Sequence, residues 1–188
     1  EEPPVVAIVV TIYNKPSRFV PCVESILERT KYPASQIRLV LVDDGSDDFS
    51  QDKMRQLAAV AEQRNIETKI VRHPNAGYLI SANRGVHRGY DMGADLVCLV
   101  NSDVLLTDGW LSAMVRCHVR TGAGLVNPLC NQQAAISVPL AGEKSWGFPR
   151  LPGRVGYIKA AELSRLIPPS YPDAVTSVGQ RALLPIPD

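Results

Sequence analysis

Asp43 and Asp44 close an apolar run, and two more acids, Asp47 and Asp48, follow the Gly-Ser turn after them, giving LVLVDDGSDD. Further along, LVCLV ends in Asn101, Ser102 and Asp103. An apolar run without alternation suits a strand buried on both faces of a parallel sheet. Acids at the end of such a strand fall on the carboxyl edge of the sheet, where open α/β folds bind ligands. Carboxylates hold bare phosphate poorly. They accept hydrogen bonds from ribose hydroxyls or a base N–H, or they ligate a divalent cation that bridges to diphosphate oxygens. Mg²⁺ takes one or two protein carboxylates and fills its shell with substrate phosphate and water. One acid for a metal and one or two for a nucleoside would thus suffice for a nucleoside-diphosphate ligand.

Strands and helices must place these acids. The β-branched run VVAIVVTI predicts a strand over 5–12. Phe19, Val23, Ile26 and Leu27 recur at helical spacing, so a helix is expected over 16–30, with Pro16 near its start. A second strand is expected over 37–42, and a helix over 51–64 with Met54, Leu57, Ala58 and Ala61 inward. A short strand over 68–71 precedes HPNAGYLISANRG, which turns into a helix over 78–90. The buried-strand pattern returns over 96–100. Asp108 reads as the N-cap of a helix over 109–120, with Leu111, Met114 and Val115 inward. Gly122 and Gly124 would stop it, before a short fifth strand over 125–127.

Strands alternating with helices call for parallel βαβ units with right-handed crossovers. That pattern covers residues 1–128, read as one α/β domain. From 129 to 188 prolines and glycines crowd the chain; only a helix over 158–166 and a strand over 175–178 stand out in this irregular extension. A formal net charge of +1 offers no basic excess for a nucleic-acid surface, and no apolar run is long enough for a spanning helix. Cys22, Cys98, Cys117 and Cys130 form no CxxC and read as reduced thiols of a cytoplasmic protein. His73, His87 and His118 lack metal-ligand spacing.

Such a fold serves many chemistries. A dinucleotide site needs G-x-G-x-x-G after the first strand, and here the segment is TIYNKPSRF, without glycine. No GxxxxGK[ST] phosphate loop occurs either.

Four blocks, VVTIYNKPSRF, LVLVDDGSDD, HPNAGYLISANRG and LVNSDVLLTDGWL, together resemble the nucleotide-binding half of family 2 inverting glycosyltransferases. The resemblance implies a GT-A fold, a Rossmann-like, mostly parallel sheet flanked by helices, and a nucleotide-diphosphate sugar as donor. It implies that Thr11 and Tyr13 line the nucleoside pocket, with Tyr13 against the base, and that Asp44, supported by Asp43, hydrogen-bonds base or ribose. Asn75 and Gly77 would shape the turn beside the sugar diphosphate. Asn83 and Arg84 would lie on the following helix, Asn83 helping to position the acidic strand ends. Ser102 would belong to the nucleotide site, and Asp103 would ligate Mg²⁺ or Mn²⁺ as the last residue of an Asp-x-Asp-like motif.

Two departures qualify the resemblance. Asn101 occupies the first acidic place of that motif, leaving one carboxylate for the metal. The Glu-Asp pair that carries the general base in such enzymes occurs nowhere in the chain. The expectation is a donor-binding domain with its acceptor-side half truncated, in the cytoplasm or peripheral at the cytoplasmic face of a membrane. A non-catalytic nucleotide-sugar-binding module is the alternative. A sugar-phosphate nucleotidyltransferase is a weaker one, for want of a glycine-rich loop after the first strand. Trp146 is a candidate for touching a sugar face, against a packing role.

Overall fold

The computed structural model describes residues 2–128. The extension over 129–188, with its expected helix and strand, Cys130 and Trp146, lies outside the described residues. The chain divides into two compact units. The first takes residues 1–28 and 32–105; the second takes 29–31 and, among the described residues, 106–128.

The first unit is a four-stranded parallel sheet with helices between the strands. Its elements are β1 (Val6–Ile12), α1 (Pro16–Arg29, whose last residue belongs to the second unit), β2 (Ile37–Asp43), α2 (Asp48–Gln63), β3 (Glu67–Arg72), α3 (Tyr78–Asp91) and β4 (Leu96–Asn101). The strand order is β3-β2-β1-β4. The chain moves outward from β1 through β2 to β3, then crosses back to the other side of β1. Right-handed crossovers therefore put α1 and α2 on one face of the sheet and α3 on the other.

β1 and β2 lie inside the sheet and are apolar on both faces, which is why neither alternates. Ala7, Val9, Val40 and Val42 form the core beneath α3, joined by Ala94. The opposite parity, Ile8, Val10, Leu39 and Leu41, is equally buried, as are Phe19, Val23 and Ile26 of α1 and Met54 of α2. Two glycines let α3 lie unusually close. A Cβ on Gly85 would come within 2.2 Å of Val9 Cγ1, and one on Gly89 within 2.6 Å of Ala7 Cβ. Glycine costs about 1 kcal/mol of helix propensity at such positions, which closer packing against β1 offsets.

In the second unit, α4 (Trp110–Thr121) is buried through Trp110, Leu111, Ala113 and Val115. Trp110 Nε1 donates to Thr30 Oγ1 at 3.0 Å, and Gly109 N donates to Arg29 O at 3.1 Å. Gly122, in left-handed conformation, closes the helix by donating to His118 O.

Three expectations are corrected. α2 starts at Asp48 instead of residue 51, because Asp47 is its N-cap and accepts from Ser50 N at 2.8 Å. Gly109 caps α4 in place of Asp108, whose carboxylate faces Arg29 at 3.4 Å. Residues 125–127 form no strand, and Leu125 is exposed instead of packed in the sheet core.

Candidate functional site

Because all four strands run the same way, their carboxyl ends share one edge. The register sets Ile12, Asp43 and Arg72 in a row across β1, β2 and β3. Thr11 is opposite Asn101 of β4. Tyr13, one residue past β1, is 54% exposed and carries an aromatic face into solvent. The strand order reverses at β1, so the crevice favoured for ligands in such sheets opens between the ends of β1 and β4. Thr11 and Tyr13 belong to one wall, and residues 101–103 to the other.

Two interlocked turns form the floor of this edge. In the first, Asp43 Oδ1 accepts from Ser46 N at 2.8 Å. Gly45 takes φ +79 there, and a Cβ at that position would sit 2.7 Å from Asn75 N. Both the backbone conformation and the contact exclude a side chain. In the second, Asn14 and Lys15 both take left-handed φ, at 51 and 57. Asn14 N donates to Ser46 Oγ at 2.9 Å, while Asp47 N donates to Asn14 Oδ1 at 2.8 Å. This reciprocal clasp locks the β1–α1 turn onto the β2–α2 turn.

The two adjacent acids have different surroundings. Asp44 Oδ1 accepts from Ala76 N at 2.7 Å, and Oδ2 from Gly77 N at 3.0 Å and Asn75 Nδ2 at 3.3 Å. Its carboxylate thus fixes the turn that leads into α3. The buried His73 supports the same turn, with Nδ1 2.8 Å from Pro74 O and Nε2 3.3 Å from Ser81 Oγ. A carbonyl only accepts, so Nδ1 carries a proton. Asp43 is 1% exposed, and its Oδ2 makes no hydrogen bond among the described residues. Arg72 Nε lies 3.5 Å from that oxygen, close enough for charge attraction but off hydrogen-bonding geometry.

At the end of β4, Asn101 is the last strand residue, and Ser102 and Asp103 form the turn after it. The Asp103 side chain is 48% exposed, with Arg18 Nη1 of α1 3.6 Å from its Oδ2. One turn further along α1, Cys22 Sγ donates to Asn101 O at 3.4 Å. Burial pushes the Cys22 thiol up to about 12, and the negative charge of Asp103 adds to the rise against a backbone hydrogen bond from Val104. No cluster of three or more His, Cys, Asp or Glu capable of holding a metal occurs among the described residues. One half-exposed carboxylate beside a neutral asparagine fits a cation that completes its shell with water and, when present, phosphate, not one held in a protein cage.

The structure therefore brings Thr11, Tyr13, Asp43, Asp44, Asn75, Gly77, Ser102 and Asp103 to one edge of the sheet. Asn83 and Arg84 are exposed on α3. The expected contact between Asn83 and the acidic strand ends is not formed: Ser46 N holds Asp43, and the 75–77 turn holds Asp44. Sequence reasoning passed over Arg72, Arg18, Asn14 and His73. Only Arg72 had a usable signal, since a parallel register carries the end of β3 to the same edge as Asp43.

The model for glycosyl transferase family 2 matches residues 7–134. No curated protein sequence matches the chain significantly. Among solved structures, the mannosyltransferase PcManGT from Pyrobaculum calidifontis, in complex with GDP-Man and Mn²⁺, superposes with a TM-score of 0.56 at 18% identity. That match covers 71% of this chain and 37% of the other. Residues 1–349 of TarS from S. aureus also match with a TM-score of 0.56 at 18% identity, covering 74% of this chain and 40% of that one. A complex of TarS with UDP-GlcNAc gives 0.51 at 16%, covering 68% and 38%. At such identities these likenesses establish the GT-A fold, and the chain spans well under half the length of each. With the family model matching more than half of its residues and the acids of the sheet edge inside the matched span, the chain belongs to glycosyl transferase family 2.

Proposed function

We propose that this chain is the donor-binding part of an inverting glycosyltransferase and holds a nucleotide-diphosphate sugar along the carboxyl edge of its sheet. The observation that carries the reading is Asp43 Oδ2, a buried carboxylate oxygen at that edge with no hydrogen bond among the described residues. Leaving such an atom unsatisfied costs about 1–3 kcal/mol. A donor bringing a base or ribose hydrogen-bond donor would recover that cost. Asp44, whose oxygens are taken by the 75–77 turn, is assigned to building the site, so the nucleoside-reading role moves to Asp43. Tyr13 offers a ring for the base, and Thr11 and Ser102 add hydroxyls on the two walls.

Asp103 is assigned as the carboxylate that would hold Mg²⁺ or Mn²⁺, which when bound neutralises charge on the departing diphosphate. In the reaction, an acceptor hydroxyl loses its proton to a base and attacks the anomeric carbon as the bond from that carbon to the diphosphate oxygen breaks, inverting the centre. No residue of this chain is assigned as that base. The free thiols Cys22, Cys98 and Cys117 agree with a cytoplasmic location. No helix among the described residues is long and apolar enough to cross a membrane.

Calorimetry with UDP, GDP and dTDP, with and without Mn²⁺, tests the reading. One nucleotide should bind, and Asp43→Asn should weaken it about ten-fold or more, the loss of one charge-assisted hydrogen bond. If none of the three binds under either condition, the donor-site assignment is wrong. A non-catalytic nucleotide-sugar-binding module is the second reading, favoured by the lack of a Glu-Asp pair in the sequence. Donor hydrolysis or sugar transfer by this chain would exclude it.

A further inference from the structure

We propose that Arg18 is a built-in counter-cation for Asp103, occupying the metal's electrostatic place before a donor binds and then turning to the donor's diphosphate. The inference rests on the assignment of Asp103 as the metal-ligating carboxylate. Of the acids at this edge, Asp43 and Asp44 are buried and have other roles, while Asp103 stays half exposed. With Asn101 neutral, no neighbouring acid in the 101–103 motif shares the charge of Asp103. Arg18 Nη1 stands 3.6 Å from Asp103 Oδ2.

This pairing is more than the chance meeting of two long side chains. Arg18 lies in the first turn of α1, where its N–H donates to Lys15 O at 2.9 Å. Arg18 and Cys22 are four residues apart, hence on one face of the helix. Cys22 anchors that face to the end of β4 through Asn101 O. The helix is thus docked on the strand that carries Asp103, and the guanidinium is delivered to the carboxylate by the packing of the elements. A guanidinium matches phosphate oxygens as well as carboxylate oxygens. When a divalent cation takes Asp103, Arg18 is released at the same strand end, where the donor's diphosphate would accompany the cation.

Two signatures of opposite sign follow. An exposed ion pair of this kind competes weakly, so removing it should tighten Mn²⁺ binding by roughly two- to five-fold. Removing the same charge should weaken nucleoside diphosphate binding in EDTA, where no metal supplies positive charge. Mn²⁺ binding to the full 188-residue chain can be followed by electron paramagnetic resonance without nucleotide, comparing wild type, Arg18→Gln and Asp103→Asn. UDP and GDP titrations in EDTA complete the set, and circular dichroism confirms that each variant is folded.

Tighter Mn²⁺ with Arg18→Gln, together with weaker diphosphate binding in EDTA, is the expected result. If Asp103→Asn abolishes Mn²⁺ binding but Arg18→Gln leaves it unchanged, the counter-cation role is overturned while the metal assignment stands. If Mn²⁺ tightens but binding in EDTA is unaffected, the transfer to diphosphate is overturned. Mn²⁺ binding that Asp103→Asn leaves intact, or no Mn²⁺ binding by the wild type, overturns the metal assignment itself and the inference with it.

Discussion

Ala76 N donates to Asp44 Oδ1 at 2.7 Å across 32 positions of sequence, joining the end of β2 to the entry of α3. With Gly77 N and Asn75 Nδ2 on the other oxygen, the carboxylate acts as a structural rivet. Asp44→Ala leaves two backbone N–H groups without their acceptor, at an expected cost of about 2–4 kcal/mol. Asp44→Asn keeps one acceptor oxygen and should lose about half as much. Urea denaturation gives both values. Hydrogen exchange should quicken at Ala76 and Gly77 ahead of the rest of the sheet, and a uniform change would argue against the rivet.

Gly85 makes the opposite kind of prediction, because the added group is welcome to the helix and unwelcome to the sheet. Gly85→Ala gains about 1 kcal/mol of helix propensity. Its new methyl meets Val9 Cγ1 at 2.2 Å and Val42 Cγ2 at 2.9 Å. Valine is stiff about χ1 and both residues are fully buried, so the strand or helix must shift, which costs about 1–3 kcal/mol. The net effect is a lower Tm. A Tm at or above wild type would show that α3 can move away from β1 freely.

Asp47 links stability to pH. Its carboxyl is held below the ordinary value of 3.8, first by the Ser50 hydroxyl and then by the Ser50 N–H. The hydroxyl is near enough to act on the charge without meeting hydrogen-bond geometry, whereas the N–H bond is well formed at 2.8 Å. A carboxyl lowered on folding contributes stability that is present above its unfolded value and lost as pH falls through the folded one. The stability difference between wild type and Asp47→Ala should therefore be constant near neutrality and shrink below pH 3.8. A difference that grows with acid would contradict the cap.

Cys22 offers a chemical test. With its thiol pushed up to about 12, almost no thiolate exists at pH 8, and the side chain is fully buried. Native protein should leave Cys22 unmodified by iodoacetamide at that pH, and unfolding in urea should expose it. Peptide mapping by mass spectrometry reads the result, and rapid native labelling would mean that α1 does not hold against the end of β4.

What the sequence disclosed follows from how local each determinant is. β1 and β2 could be read because a β-branched apolar run needs no context to declare itself. The start of α1 was marked by Pro16. The start of α2 was read three residues late, since the Asp-Phe-Ser segment at its beginning lacks the inward apolar period. Asp108 looked like a cap by type, yet its carboxylate is drawn to Arg29, 79 positions away. At the site, the pair Asp43 and Asp44 reads as two equal acids. Only the folded chain, which brings the 75–77 turn against β2, separates the structural one from the one with an oxygen to spare. Likewise Arg18 is an ordinary helix-surface residue until β4 sets Asp103 beside it.

The position of β4 has a further consequence, for the order in which the edge assembles. The contacts that fasten the β1 turn to the β2 turn span 32 and 33 positions, whereas the bond from Val5 N to Asp95 that ties the base of β1 to β4 spans 90. Closing the longer loop costs about 1 kcal/mol more in chain entropy. Non-local strand pairing is also slower to find. The Asp43 side of the cleft therefore has the entropic advantage in forming early, while β4 can add its acid only after the chain has come back across the sheet. A nascent chain folded through β3 would already hold Thr11, Tyr13 and Asp43 of the nucleoside side, with the wall from β4 and its carboxylate for a metal still to come.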